Sequence, residues 1–320
     1  MTTRTKNNTP AEIADFLRTL DRVAVTTHVG ADGDAIGASA ALVRLMHKLG
    51  AEAVFCHSEA VQDYLAWLLP EEALTELPPG HDLLVGDTSR ADRTGVPIPE
   101  AGARLNIDHH EDNPLYAEYN LVNPRAAATA EMVADLYAEL GEPIDKPTAE
   151  ALYVGLKTDT GGFNFRNISP RAHELVADLL RAGVVPAEVN ERSNRRGNVE
   201  QLRIVGVSLA NAVQYGEALI STVENADYER TGATEVESKE SIDQLRSVAG
   251  VDVVAHLREV PQGTKGSLRS ETVDVGEVAR HFGGGGHRLA AGYTTPRRPN
   301  EAREELLEVL KGVVDLGGER

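Results

Sequence analysis

The amino-acid sequence predicts an α/β protein, with a doubly wound, mostly parallel sheet in an N-terminal domain and a smaller α/β domain after it. Short β-branched or apolar runs alternate with longer helical patterns up to about residue 140, which is typical of a parallel sheet with helices on both faces. A polar, arginine-bearing segment at 190–198 then interrupts the pattern. Strand and helix patterns return after it, and a chain of 320 residues most often makes two domains.

Local signals place the elements of the N-terminal domain. Thr9, Pro10 and Glu12 predict the start of a first helix, because Thr9 suits the N-cap and Glu12 completes a capping box. Helical periodicity predicts two longer helices, each followed by a glycine, at 34–50 and 129–140. Alternating or apolar β-rich runs predict four strands, at 22–28, 51–57, 81–87 and 103–110.

The later elements divide the chain further. Residues 145–214 are helical in pattern, and three strands and an amphipathic C-terminal helix follow, at 218–224, 251–259, 265–270 and 300–314. We therefore predict three segments: an N-terminal α/β domain, a helical linker and a second α/β domain, at 10–190, 191–214 and 215–320.

Charge and cysteine content narrow the classes of function. The net charge of −18 argues against a broad basic surface that tracks long nucleic acid. A phosphate-bearing ligand would need a locally positive site, and bound metal ions are one way to provide it. Cys56 is the only cysteine, which excludes a disulfide framework or a thiolate zinc cluster. The sequence also lacks an N-terminal apolar segment, and we expect a cytoplasmic protein without membrane contact.

Acids or histidines follow all four predicted strands of the N-terminal domain. They are His28, His57, Asp87 and the triplet Asp108, His109 and His110. In doubly wound sheets, ligands bind beyond the carboxyl ends of the strands. We expect these side chains to share a site there, except His57, whose position we interpret as incidental.

The segment "THVGADGDAIGAS" supports two interpretations. Asp32 and Asp34 at a strand-to-helix turn are typical of turn and N-cap chemistry, and Asp34 could cap the helix that follows. Alternatively, both carboxylates point into one crevice with His28. Oxygen and imidazole ligands suit manganese, magnesium or iron better than an ion that prefers thiolates.

The segment "NIDHHED" indicates that its two histidines have different roles. Successive residues of a strand point to opposite faces, so His109 and His110 are not expected to ligate one ion together. One imidazole can bind metal while the other faces the substrate, with Asp108 orienting a neighbouring ring. The alternative is a surface turn with incidental histidines.

Three further features are weaker when each is taken alone. Asp87 can serve a turn or cap, and Asp159 in "TDTGG" can belong to an ordinary loop after a helix. The run "HFGGGGHRLAAG" offers backbone N–H groups that, with His287 and nearby Arg269, could meet a phosphate, although a flexible turn explains it equally well.

Taken in order and spacing, these motifs resemble the DHH phosphoesterase superfamily, and in particular its bacterial oligoribonucleases and 3′,5′-bisphosphate nucleotide phosphatases. The motifs are "HVGADGDAIGAS", Asp87, "DHH", "TDTG" and "GGGGHRLAAG", and they extend over nearly the whole chain. Such proteins join a catalytic DHH domain to a smaller DHH-associated domain, and the resemblance implies an active-site cleft between the two.

The resemblance also implies the ligands of two divalent ions, usually Mn²⁺, with Mg²⁺ or Co²⁺ as alternatives. The first ion would be held by His28, Asp32 and Asp87. The second would be held by Asp34, Asp87, His109 and Asp159, so that Asp87 bridges the pair. His110 would face the scissile phosphate, with Asp108 and His287 as the other predicted catalytic residues. The predicted substrate contacts are Arg269, Gly284, Gly285, Gly286 and His287.

The implied activity is metal-dependent hydrolysis of very short RNA and of 3′-phosphoadenosine 5′-phosphate, and linear or cyclic dinucleotides are related substrates. Two alternatives remain: a manganese-dependent pyrophosphatase or exopolyphosphatase, and a catalytically silent nucleotide sensor. Relatives are often homodimers. This chain departs from the usual Phe-Arg-aromatic order after "TDTGG", because Asn164 stands at the arginine position and Arg166 lies two residues later.

Overall fold

The computed structural model describes residues 6–100, 102–193 and 198–317. The chain falls into two compact units, residues 1–195 (unit 1) and 196–320 (unit 2). Each unit has its own sheet and hydrophobic core. Within the described residues, none of the helices combines the length and the apolar character needed to cross a bilayer.

Unit 1 contains a five-stranded sheet in the order β2-β1-β3-β4-β5, with every neighbouring pair parallel. Its strands are β1 (Arg22–Thr26), β2 (Glu52–Phe55), β3 (Asp82–Gly86), β4 (Leu105–Asp108) and β5 (Tyr119–Val122). Its helices are α1 (Pro10–Leu17), α2 (Gly33–Lys48), α3 (Asp63–Ala66), α4 (Thr129–Leu140), α5 (Lys146–Asp159), α6 (Pro170–Arg181) and α7 (Pro186–Ser193).

The predicted parallel sheet and its four strands are confirmed, and so is the capping box of Thr9 and Glu12 at the start of α1. The fifth strand, β5, is not among the predicted strands.

The two faces of the sheet in unit 1 are covered differently. Apolar side chains from the helices pack against one face, on residues such as Val23, Val25 and Leu84. The other face, with Ala24 and Val85, packs mainly against residues of extended loops such as Val96, Ile98 and Tyr116. The expected helices on both faces are therefore not what the described residues show. Pro97 and Pro99 lie between β3 and β4, and proline disfavours a helix interior there.

Close packing of α2 on α5 sets the positions of Asp34 and Asp159. A Cβ atom on Gly37 would lie 2.3 Å from the carbonyl oxygen of Ala151, and one on Gly155 would lie 2.6 Å from the Asp34 carboxylate. Only glycine permits such an approach at these points. The start of α2, with Asp34, is thereby held beside α5, which ends at Asp159.

Unit 2 contains a mixed six-stranded sheet in the order β10-β11-β9-β8-β7-β6, in which only β7 and β8 are parallel. Its strands are β6 (Val213–Tyr215), β7 (Ala218–Val223), β8 (Val253–Val260), β9 (Gly263–Ser270), β10 (Gly285–His287) and β11 (Ala290–Thr295). Its helices are α8 (Val199–Ala210), α9 (Asn225–Thr231), α10 (Ser241–Leu245), α11 (Val275–His281) and α12 (Pro299–Leu310). The three predicted strands appear as β7, β8 and β9.

Candidate metal centre

All six residues predicted as metal ligands lie in two adjoining groups in unit 1. In each group, one ligand atom per residue lies within 4.8 Å of the others. The first group is His28, Asp32 and Asp87, and the second is Asp34, His109 and Asp159. They come from the ends of β1, β3 and β4, the start of α2 and the end of α5.

Asp87 belongs to the first group, lies next to the second and presents one carboxylate oxygen to a histidine of each. Its Oδ2 is 3.6 Å from Nε2 of His28, and its Oδ1 is 3.6 Å from Nε2 of His109. Asp87 also has a φ of +49°, a left-handed conformation that is uncommon for a residue other than glycine. Such strain persists where the surroundings enforce it, as they often do at functional sites.

Hydrogen bonds around the next residue enforce this conformation. The carbonyl oxygen of Thr88 accepts from the side-chain amide of Asn106 (3.2 Å) and from the Tyr116 hydroxyl (2.9 Å). The Asp87 N–H donates to the carbonyl of Ile107 at 2.8 Å. These contacts fix the chain on both sides of the Asp87 carboxylate.

Backbone carbonyls orient both histidines of the groups. Nδ1 of His28 lies 3.0 Å from the carbonyl oxygen of Val29, and Nδ1 of His109 lies 3.3 Å from that of Ala126. In the tautomer that donates from Nδ1, each ring turns an unprotonated Nε2 toward the carboxylates. This arrangement is typical of histidine in metal sites.

Asp32 and Asp34 have different structural roles. Asp32 is the N-cap of α2, since its Oδ1 accepts from the N–H groups of Asp34 (3.0 Å) and Ala35 (3.1 Å). The interpretation that Asp34 caps this helix is wrong. Asp34 instead accepts from the N–H groups of Thr129 (2.6 Å) and Ala130 (2.9 Å). Its carboxylate therefore serves the start of α4, whose own N-cap residue is an alanine without a side-chain acceptor.

Thr129 connects Asp34 and Asp87 and was not predicted as a site residue. Its N–H donates to Asp34, and its hydroxyl donates to Oδ1 of Asp87 at 2.9 Å. Both contacts span more than 40 residues of sequence. A lone threonine at a helix start gives no signal of such a contact.

His57 is not incidental, contrary to the expectation from sequence. It is buried, with Nε2 3.0 Å from the backbone carbonyl of His28 and Nδ1 3.1 Å from that of Glu59. The Glu59 carboxylate in turn accepts from the N–H of Gly30 at 2.6 Å. His57 and Glu59 thus hold the loop that carries His28 and Asp32.

His110 lies beside His109, with ring centroids 4.9 Å apart, and pairs with Asp108. Asp87, His109 and His110 also form a third group whose ligand atoms lie within 4.8 Å of one another, although the alternation of a strand predicts that the two histidines would not share an ion. Its Nδ1 lies 2.7 Å from Oδ1 of the fully buried Asp108. The side-chain amide of Asn113 donates to the other Asp108 oxygen at 2.6 Å. The aspartate is thereby fixed, and it orients the half-buried ring of His110.

The electrostatics of this cluster favour added positive charge. Burial, together with Asp87 and Asp159, holds the pKa of Asp34 well above its usual range. Burial opposes protonation of His28 and His109, but the neighbouring carboxylates raise their pKa values to about 9 and about 10. Carboxylate oxygens and imidazole nitrogens are also suitable donors for Mn²⁺ and related divalent ions. The residues present therefore fit a centre for divalent cations.

The predicted substrate contacts lie in unit 2, on β9 and β10. Arg269 on β9 pairs in register with Ala290 on β11, and Ala290 pairs with His287 on β10. Side chains in register share a face of the sheet, so the arginine and the histidine flank the small Ala290 side chain. Gly284, Gly285 and Gly286 lead into His287, and a Cβ atom on Gly284 would lie 2.3 Å from the carbonyl oxygen of Gly292.

Comparison with known proteins identifies the family of the chain. The model of the DHH family, N-terminal domain, matches residues 22–156, and that of the DHHA1 domain matches residues 216–315. The bifunctional oligoribonuclease and PAP phosphatase NrnA of Thermus thermophilus is 34% identical over 314 residues, which cover 96% of this chain and 94% of the relative. The protein of the same name from Bacillus subtilis is 25% identical over 287 residues, 87% of this chain and 91% of that one.

A solved structure shows the same fold. The crystal structure of an exopolyphosphatase-related protein from Bacteroides fragilis superposes with a TM-score of 0.84 and 24% identity, covering 95% of this chain and 96% of that one. On these matches and on the clustered histidines and aspartates, the chain belongs to the DHH phosphoesterase family of hydrolases and carries both the DHH and the DHHA1 domain.

Proposed function

We propose that this protein is a two-metal phosphohydrolase that cleaves very short oligoribonucleotides to mononucleotides and removes the 3′-phosphate of 3′-phosphoadenosine 5′-phosphate. Linear or cyclic dinucleotides belong to the same substrate class. Two relatives that each match at least 87% of the chain are named for the first two activities. The observation that carries the proposal is the position of Asp87, which turns one oxygen toward each group of candidate ligands.

The ligand sets follow from the two groups. His28, Asp32 and Asp87 would hold one ion, and Asp34, Asp87, His109 and Asp159 would hold the other, with Mn²⁺ as the expected metal. When bound, the ions would supply Lewis acidity and lower the pKa of a water nucleophile. Thr129 and the N–H groups of α4 would keep the Asp87 and Asp34 carboxylates in place.

His110 is the proposed proton donor. The hydrogen bond that His110 donates to Asp108, opposed by burial, raises the pKa of His110 and favours its protonated form. A protonated imidazole held by a fixed aspartate can donate a proton to the departing oxygen or a hydrogen bond to the phosphoryl group. Asp108 acts through His110 in this proposal and does not touch the substrate.

Arg269 and His287 are the proposed anion-binding groups of unit 2. Four ligand aspartates already balance two divalent ions, so a nucleotide phosphate needs further positive donors. Arg269 and His287 lie in one row of the sheet, next to the N–H groups of the glycine run. Positive charge confined to the site would let a protein of net charge −18 bind an anionic substrate.

A substrate panel tests the proposal. Purified protein with Mn²⁺ is incubated separately with pyrophosphate, 3′-phosphoadenosine 5′-phosphate, a diribonucleotide and a 20-residue RNA. Turnover of the bisphosphate nucleotide and the dinucleotide alone is the expected result. Turnover of pyrophosphate alone would instead identify the pyrophosphatase alternative. Tight nucleotide binding without any turnover would identify a silent sensor.

A further inference from the structure

The loop that follows Asp159 has an unusual backbone. Gly161, Gly162 and Phe163 are left-handed in succession, with φ values of +56°, +67° and +70°. Glycine adopts this conformation without strain, but phenylalanine rarely does. Strained residues persist where surrounding contacts enforce them, and they cluster at ligand-binding sites.

Side chains of the loop itself supply those contacts. The amide of Asn164 donates to the carbonyls of Gly161 (3.1 Å) and Gly162 (3.0 Å). The Thr160 hydroxyl accepts from the N–H of Phe163 at 3.1 Å. Asn164 therefore stabilises the turn.

Further hydrogen bonds connect this loop to the candidate metal centre. The side-chain amide of Asn167 donates to the backbone carbonyls of Asp159 and Ala127, both at 3.0 Å. The N–H of Phe165 donates to the carbonyl of Thr160, directly after Asp159, at 2.9 Å. The position of Phe165 is thus fixed relative to a candidate metal ligand.

Phe165 presents an aromatic surface on this loop. Its side chain is 44% exposed, whereas the other Phe, Tyr and Trp side chains, all within the described ranges, are buried or half-buried. The ring packs against the backbone of Gly161, where an added Cβ would lie 2.3 Å from it. One side of the ring is therefore supported by the protein while part of its surface faces solvent.

The charge of the loop suits a nucleotide. Between residues 160 and 168, Arg166 is the only ionisable side chain, and it is exposed. The loop itself therefore carries a single charge, which is positive, in a chain of net charge −18. An exposed ring beside a cation is the combination with which proteins bind single-stranded nucleic acid without base specificity.

We propose that Phe165 stacks against a base of the nucleotide whose phosphate lies at the metal centre. This inference rests on the proposed function and assigns it a base-binding element in unit 1. Since every base has an aromatic face, stacking explains how one site accepts both an adenosine bisphosphate and short RNA of mixed sequence.

The test compares Phe165→Leu, which removes the aromatic face, with Phe165→Tyr, which keeps it. KM and kcat are measured with Mn²⁺ for 3′-phosphoadenosine 5′-phosphate and for ribose 3,5-bisphosphate, which has no base. Phe165→Leu should raise KM for the nucleotide roughly 10-fold and leave KM for the base-free sugar unchanged. Phe165→Tyr should restore KM for the nucleotide. Leu180→Ala, at another exposed apolar residue, is the control and should change neither value.

A spectroscopic measurement separates stacking from catalysis. The fluorescence of 2-aminopurine riboside 3′,5′-bisphosphate, bound in the presence of Ca²⁺, should be quenched by the wild type and by Phe165→Tyr but not by Phe165→Leu. Equal KM changes for both substrates in Phe165→Leu, or unchanged quenching, would overturn the stacking proposal. A wild type that quenches the probe but hydrolyses no nucleotide would overturn the proposed function alone.

Discussion

Both units bury charge, but they balance it in opposite ways. In unit 2, the guanidinium of Arg258 is 2% exposed and contacts Glu235 (2.5 Å) and the Ser267 hydroxyl (2.9 Å). In unit 1, Asp34 and Asp87 are 0% and 2% exposed. Their polar contacts are histidines, backbone N–H groups and Thr129.

This difference shows which unit needs bound cations to balance its buried charge. The Arg258 and Glu235 pair is neutral without any added group, so the buried charge of unit 2 is balanced within the protein. The five aspartates of this cluster in unit 1 exceed the positive charge that its three histidines, His28, His109 and His110, can supply. Divalent cations would correct that excess, which is why the proposed chemistry belongs to unit 1.

The largest expected effect is at Asp87. Asp87→Asn should lower kcat more than about 1000-fold, because it weakens the ligand proposed to be shared by both ions. Arg269→Ala removes only a proposed substrate contact and should retain more activity. The exposed Asp112, changed to Asn, is the matched control for loss of one acid near the site. Equal residual activity in Asp87→Asn and Arg269→Ala would contradict the bridging role.

Variants of Arg258 test whether its ion pair with Glu235 stabilises unit 2. Arg258→Ala should destabilise the protein by roughly 3 kcal/mol, since Glu235 keeps a charge that has lost its partner. The double variant Arg258→Met and Glu235→Leu should recover most of that loss. Guanidinium unfolding of the full chain measures both, and a double variant no more stable than Arg258→Ala would refute the pairing argument.

Thr129 tests how the carboxylates of unit 1 are positioned. Thr129→Val keeps the shape and the backbone N–H but loses the hydroxyl bonded to Asp87. Its affinity for Mn²⁺ should fall about 10-fold to 100-fold, and Thr129→Ser should restore it. Electron paramagnetic resonance of free Mn²⁺ gives the affinity without reference to turnover. Identical affinities for Val and Ser at this position would exclude the positioning role.

The smallest expected effect concerns pH and the core of unit 2. His256 on β8 is fully buried, with Nδ1 3.3 Å from the Ser208 hydroxyl, and burial, aided by nearby Arg258, lowers its pKa from 6.5 to about 3. Below its ordinary pKa, the unfolded chain binds a proton that the folded chain does not. Stability should therefore fall by about 1 kcal/mol between about pH 7 and pH 5.5.

The matched variant for this effect is His256→Leu, which cannot titrate. Urea unfolding at a series of pH values should show a flatter dependence for His256→Leu than for the wild type. Parallel curves for the two proteins would show that His256 does not contribute to acid sensitivity.

Much of unit 1 could be predicted from sequence because its signals are local. The strands β1 to β4 are apolar runs, and the ligand types follow them directly, so the rule for parallel sheets predicts their convergence. In unit 2, β10 and β6 have only three residues each, too few to show a period.

The contacts missed from sequence are those between distant residues. Asp34 serves the start of α4 because Ala128 cannot, and Thr129 reaches Asp87 across 42 positions. His57 appeared incidental because its partner is a backbone carbonyl, that of His28, which leaves no trace in residue type. Such contacts depend on the packing of whole elements, which a single sequence does not reveal.

Anomalous diffraction from crystals soaked in Mn²⁺ tests the central claim most directly. We predict two peaks in each chain, one enclosed by His28, Asp32 and Asp87 and the other by Asp34, Asp87, His109 and Asp159. A single peak, or peaks remote from Asp87, would contradict a shared two-metal centre.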